Sequence, residues 1–189
     1  MPASRCWRTP PRLLHLIAHE LGPFVLDACA DAENTVAPIW IDYHQDAIST
    51  DWRNHVEQHG GSLAPGSSVW MNPPYGQPSA SFAGTGAFVA RAAAQADQHR
   101  ITVAVLTESR TDAGWWAQAA AFASETRLLM GRVAHLRPDG SVGESPRSGH
   151  SLFIFDGRRV LGRGRIVVWD WKGGGGTAAG VGADRSDQV

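Results

Sequence analysis

ITVAVLT, from Ile101 to Thr107, is an apolar run without a charge. A strand with one face in water alternates apolar and polar residues. A run that does not alternate must be covered on both faces, as a central strand of a parallel sheet is. Parallel strands need crossover connections, and helices commonly supply them. The run therefore predicts an α/β protein with a mostly parallel sheet.

The flanking segments fit that frame. TPPRLLHLIAHELG reads as a helix, with Thr9 as its cap, Pro10 in the first turn and Gly22 at its end. Leu13, Leu14, Ile17, Ala18 and Leu21 fall on one face of it. A buried strand follows from Phe24 to Cys29, then a short strand in APIWIDY. Residues 48–68 read as a loop with one helical turn, and SVWMN as a strand that ends at a double proline. An alanine-rich helix begins near Gly86, and Thr111 is placed to cap a helix through DAGWWAQAAAFA. TRLLMG is a further strand. VAHLRPDGSV, SLFIFDGRRV and GRIVVWDW read as strands joined by tight turns at Asp139-Gly140 and Asp156-Gly157. Helices alternating with strands, then hairpin-like strands, predict a Rossmann-like sheet with antiparallel strands at one edge. Residues 1–171 form one expected domain, and the glycine-rich residues 172–189 an expected disordered tail.

Composition narrows the function. Hydrophobic residues make up 43% of the chain, enough for a sizeable core. No apolar run is long enough to cross a bilayer, and the first residues lack an apolar signal core, so a cytoplasmic protein is expected. Cys6 and Cys29 make no disulfide framework, the histidines are scattered, and no metal site is expected. A net charge of -1 argues against tight unaided binding to nucleic acid, although arginines from Arg127 to Arg165 crowd the second half.

The chemistry is concentrated in VWMNPPYG, Val69 to Gly76. An exocyclic amino group on a base is a poor nucleophile because its lone pair is delocalised into the ring. Two acceptors aimed at its hydrogens localise that lone pair. Asn72 supplies a side-chain oxygen and Pro73 a backbone carbonyl. Pro73 and Pro74 fix φ and remove competing N–H donors. Tyr75 offers a flat face for a base taken out of a duplex. Asp27, Asn72 and the Glu108 to Arg110 segment each follow a predicted strand end, where ligands of such sheets sit.

With these residues in view, the chain resembles the phage-type DNA N-6-adenine methyltransferases, the phage Dam family, from about Trp7 to Phe155. WRTPPRLL is similar to that family's W-x-T-P-x-x-L, and LDACADAENTVAP to its L-D-x-C-A-x-x-E-N. DAISTDW is similar to D-G-L-x-x-D-W, VWMNPPYG to V-W-x-N-P-P-Y-G, and ESRTDAGWW to A-R-T-D-x-x-W-F. The resemblance implies a class I methyltransferase fold, and transfer of a methyl group from S-adenosylmethionine to adenine N6 in DNA, in a bacterial cytoplasm hosting a phage gene. It implies Asn72, Pro73, Pro74 and Tyr75 as the catalytic pocket. Thr9 and Pro10 would lie near the methionine end of the cofactor, with Asp27, Cys29 and Ala30 at the first strand end. An acid for the ribose hydroxyls is Asp46 by motif or Asp42 by strand position, and Asp51 would contact the cofactor. Arg110 and Arg132, with Tyr75, would meet DNA. The glycine-rich cofactor loop of many methyltransferases is absent, as in the resembled family. The other readings are a protein-glutamine or RNA amino group as acceptor, and a relative that binds DNA or a partner without turnover.

Overall fold

The computed structural model describes residues 7–137, 139–143, 148–159 and 164–173. Four helices and seven strands follow one another as α1 (Pro11–Leu21), β1 (Phe24–Asp27), β2 (Ile39–Trp40), α2 (Trp52–Gln58), β3 (Ser68–Met71), α3 (Thr85–His99), β4 (Thr102–Glu108), α4 (Gly114–Phe122), β5 (Glu125–Leu129), β6 (His150–Asp156) and β7 (Arg165–Trp169). The strands form one sheet in the order β2-β1-β3-β4-β6-β5-β7. Every neighbouring pair is parallel except β4 with β6 and β5 with β6, so β6 runs against the rest.

The central run behaves as its composition demands. Along β4, Val103 and Val105 pack into one core with α2, α3 and α4, through Trp52, Val56, Val89, Ala92 and Trp116. Ala104 and Leu106 enter the other core with Leu13 and Ile17 of α1, Trp70 and Trp169. All four are fully buried. Burying each apolar side chain contributes about 1.5–3 kcal/mol, which makes this double-sided strand the strongest organising element of the sheet. In the α1 core Arg127 stacks 4.8 Å over the Trp169 ring, donates to Glu20 of α1 at 2.8 Å and pairs with Glu125.

The antiparallel component lies inside the sheet, not at its edge as expected. β6 is buried along its whole length between β4 and β5. Its apolar stretch SLFIF carries the same two-sided signature as ITVAVLT, and that requirement overrides the nearby turn dipeptide. β7 pairs with β5 rather than forming a hairpin with β6, and its half-exposed pattern suits the edge. VAHLRPDGSV forms no strand among the described residues; Leu136 makes isolated bridges to Arg8 and Val142.

Three local expectations also change. Thr9 does not cap α1: Pro10 takes that place, with no side-chain bond, and Thr9 is buried. Thr111 does not cap α4, which starts at Gly114 after Ala113. The segment read as a loop with one helical turn holds α2, two turns long, whose cap Asp51 accepts from Asn54 N–H at 2.9 Å. Among the described residues no helix is long and apolar enough to cross a membrane. Residues 174–189, Cys6, Arg147 and Arg163 lie outside the described residues.

Candidate active site

The carboxyl ends of β1, β3 and β4 open on one rim. β3 ends at Met71, and the chain leaves it through Asn72-Pro73-Pro74-Tyr75. Asn72 is held from both sides. Its Nδ2 donates to Thr9 Oγ1 at 3.3 Å, and its Oδ1 accepts the Tyr75 hydroxyl at 2.9 Å. The structure thus joins the T-P pair before α1 to the tetrapeptide 63 residues later. Pro73 is buried, and its carbonyl accepts no hydrogen bond from a described residue. An unpaired carbonyl in such a place is an acceptor waiting for a donor. Asn72 Oδ1 keeps a second lone pair beside the one facing Tyr75.

The turn after Tyr75 is pinned by Thr85, the first residue of α3. Its Oγ1 accepts from Gly76 N–H at 2.9 Å and donates to the Pro74 carbonyl at 3.1 Å. Gly84, just before it, sits at φ +84° with Pro78 atoms 2.8 Å from where a Cβ would stand. Beside this turn runs a groove lined by Tyr75, Gly76, Gln77, Thr85, Glu108, Arg110 and Trp115. Of the tryptophan pair, Trp115 faces the groove. Trp116 is buried, donating its Nε1–H to Ser151 Oγ at 3.1 Å. Gly86 allows this, because a Cβ there would meet the Trp115 side chain at 2.7 Å.

Burial, then the charge of Glu108, push the Tyr75 hydroxyl far above its usual range, so it stays a donor. Its ring lies 6.1 Å from each of the His135 and His150 rings, which contact each other at 5.2 Å. Neither histidine belongs to a recognisable motif. They meet because His135 precedes a bridge to the N-terminal segment while His150 opens β6.

The acids at the first two strand ends are tied into their own loops. Asp27 is buried, and its carboxylate accepts from Cys29 N–H at 3.3 Å and Val36 N–H at 3.2 Å. Burial outweighs those donors and pushes it up to about 7. Burial, then the charges of Asp27 and Asp46, hold the Cys29 thiol well above its ordinary value, so it is a poor nucleophile. Ala30 N–H is spent on the Ile41 carbonyl at 3.1 Å. Asp42 Oδ1 accepts from the N–H groups of His44 and Gln45, leaving Oδ2 without a partner among the described residues. Asp46, at φ +54°, accepts from Ile48 N–H and Ser49 Oγ.

Asp51 adjoins this group through Thr50, whose N–H donates to the Asp46 carbonyl at 3.0 Å. It caps α2 and lies 4.0 Å from His99 at the far end of α3. That end is about 20 Å from Thr85 by helix rise. Arg110 lines the groove but forms a two-point pair with Asp112 at 3.2 Å. Arg132 is exposed on the connection after β5 and makes no ion pair or hydrogen bond with a described residue. Pro10 lies beside Thr9 as the α1 cap.

Thr85, His135 and His150 escaped the sequence reading of the site, whereas Glu108 was placed on its rim. The signal for Thr85 was present: a hydroxyl next to Gly84 at the start of a predicted helix. His15-x-x-x-His19 lies on α1, and His55-x-x-x-His59 runs from α2 to its C-terminal cap, contrary to a plain scatter of histidines. Among the described residues no group of three ligands that could hold a metal ion forms.

Comparison with known proteins completes the picture. The family model described as DNA N-6-adenine-methyltransferase (Dam) matches residues 2–158. A comparison with curated proteins gives no match.

Proposed function

Because the chain belongs to the DNA N-6-adenine-methyltransferase family, we propose that it transfers a methyl group from S-adenosylmethionine to adenine N6 in DNA, through Asn72, Pro73, Pro74 and Tyr75. The observation that carries this reading is the arrangement of two acceptors at the end of β3. Asn72 is clamped between Thr9 and Tyr75, and the Pro73 carbonyl has no partner among the described residues.

Each residue then has a task. Asn72 Oδ1 and the Pro73 carbonyl take the two N–H bonds of the amino group and draw its lone pair out of conjugation. They do so without reorganisation, because Thr9 orients the amide and the prolines fix the backbone. Tyr75 supplies an aromatic face for a base turned out of the stack, where pairing no longer covers N6. Methyl transfer leaves the nitrogen with one proton too many, which departs afterwards; no general base has to act first. The bound cofactor supplies an electrophilic methyl group. The donor set at the first two strand ends fits its polar parts. Asp42 has a carboxylate oxygen with no partner among the described residues, suited to a ribose diol, whereas both oxygens of Asp46 are engaged locally. That favours Asp42 over Asp46. Asp27, Cys29 and Ala30 would shape the loop around the cofactor rather than touch it through free polar groups, and Asp51 would serve as the cap of α2. The parallel strands and convergent rim support the Rossmann-like class I reading. Arg110 and Arg132 would meet the DNA backbone.

The test is transfer from labelled S-adenosylmethionine to unmethylated DNA, with nucleoside analysis of the digest. Label in N6-methyladenine is expected. Label in RNA or protein alone would replace the acceptor. Cofactor binding without any transfer would leave a binding protein.

A further inference from the structure

Two histidines behind Tyr75, His150 buried and His135 partly buried, have no task in the scheme above. His150 opens β6, directly across the ladder from Glu108. His135 sits in the β5–β6 connection. That connection is sewn to the N-terminal segment by the reciprocal Arg8–Leu136 bonds of 2.9 and 2.8 Å, and closed by Gly143 N–H on the His135 carbonyl. The two Nε2 atoms stand 3.3 Å apart. One must donate and the other accept, so the contact needs at least one bare ring nitrogen. Both rings bear on Tyr75, which in turn holds Asn72. The same connection, through Arg8, also fixes the segment that places Thr9 against the other side of Asn72.

We propose that His135 and His150 are positioning residues for methyl transfer: as a neutral, mutually hydrogen-bonded pair they buttress the Tyr75 ring and keep its hydroxyl on Asn72 Oδ1. This rests on the functional reading given above. The groups facing the pair are Tyr75 from the tetrapeptide, Glu108 from β4 and Arg8 from the N-terminal segment. Burial lowers both histidines, and the neighbouring His135 lowers His150 further, to about 4. Folded values below the ordinary one of about 6.5 give stability that is present above pH 6.5 and lost as pH falls toward 4. Protonating both rings sets two N–H groups against each other and drives the rings apart.

Two measurements test it. The first needs no turnover. Tyr43 and Tyr75 are the two tyrosines of the chain, and Tyr43 is exposed. In protein carrying ring-labelled tyrosine and histidine, the Tyr75 signal is expected to shift in step with the His135–His150 titration, whereas any shift of Tyr43, whose ring contacts His44 at 5.7 Å, follows His44 instead. A Tyr75 signal unmoved by that titration overturns the proposal. The second is kinetic. His150→Ala should lower kcat at least tenfold with cofactor Kd within twofold of wild type. The double variant His135→Phe/His150→Phe, which restores two rings without their nitrogens, should recover most of kcat and lose the acid decline. Unchanged kcat in folded His150→Ala overturns it. Wild-type protein that methylates no DNA would remove the functional reading, and the tyrosine signal would still decide the histidine pair.

Discussion

Asn72 is a side chain whose value lies in direction. An amide left to rotate presents its NH2 as often as its oxygen, and an NH2 facing the substrate's amino group repels it. Thr9 Oγ1 accepts from Nδ2 and Tyr75 donates to Oδ1, so each partner enforces one end of the amide. The sequence displayed Asn72 and Tyr75 openly, since four residues in a row carry the motif. It placed Thr9 as a helix cap, because a threonine before Pro-Pro-Arg has that local meaning. Its real partner is far along the chain, and only the sheet brings them together. Asn72→Ala should abolish transfer, with cofactor Kd within about twofold. Thr9→Val keeps shape and removes the acceptor, which forfeits about 1 kcal/mol and up to tenfold in kcat. Single-turnover rates with cofactor affinity measured in parallel check both. Full activity in Asn72→Ala would remove the two-acceptor mechanism.

At the scale of elements, the sequence was most readable where a segment's own composition decides its environment. β4 announced itself because its alternate residues fill two separate cores. β6 carried the same signal in SLFIF, yet Asp156-Gly157 suggested a hairpin. A turn dipeptide states where the chain bends and not which strand it joins next. α2 shows the converse case. Asp51 matched a motif acid, and its cofactor role was inferred from that match; in the structure one of its carboxylate oxygens caps a two-turn helix, a task the sequence reading did not assign it. Asp51→Ala should therefore cost about 1 kcal/mol of stability, the usual worth of such a cap. It should leave cofactor Kd and kcat unchanged. Denaturant titration beside calorimetry separates the two effects, and a tenfold weaker cofactor Kd would restore Asp51 to the site.

For the molecule as a whole, a near-neutral net charge hides a division that the sequence could not show. The strand directions send the arginines of the second half to opposite ends of the sheet. Arg158 and Arg159 follow β6, the reversed strand, and pair with Asp156; Arg165 opens β7 and pairs with Glu125. All three lie away from Asn72 and are ion-paired, Arg158 and Arg159 sharing the one carboxylate of Asp156. On the rim, Arg110 is held by Asp112, and Arg132 is exposed and unpaired among the described residues. A protein that neutralises phosphates with one or two such side chains releases few counterions. Apparent DNA affinity should then fall about tenfold between 50 and 200 mM salt, not the roughly 10³-fold or more of a protein with six phosphate contacts. Arg132→Ala should flatten that slope by about one unit of log affinity per log salt, alike on all sequences, since a phosphate contact carries no base information. Affinity measured across a salt series for both proteins decides this. A slope unchanged by Arg132→Ala would move the DNA-facing surface away from the β5–β6 connection, and with it the argument that one face of this molecule both clamps Asn72 and meets the duplex.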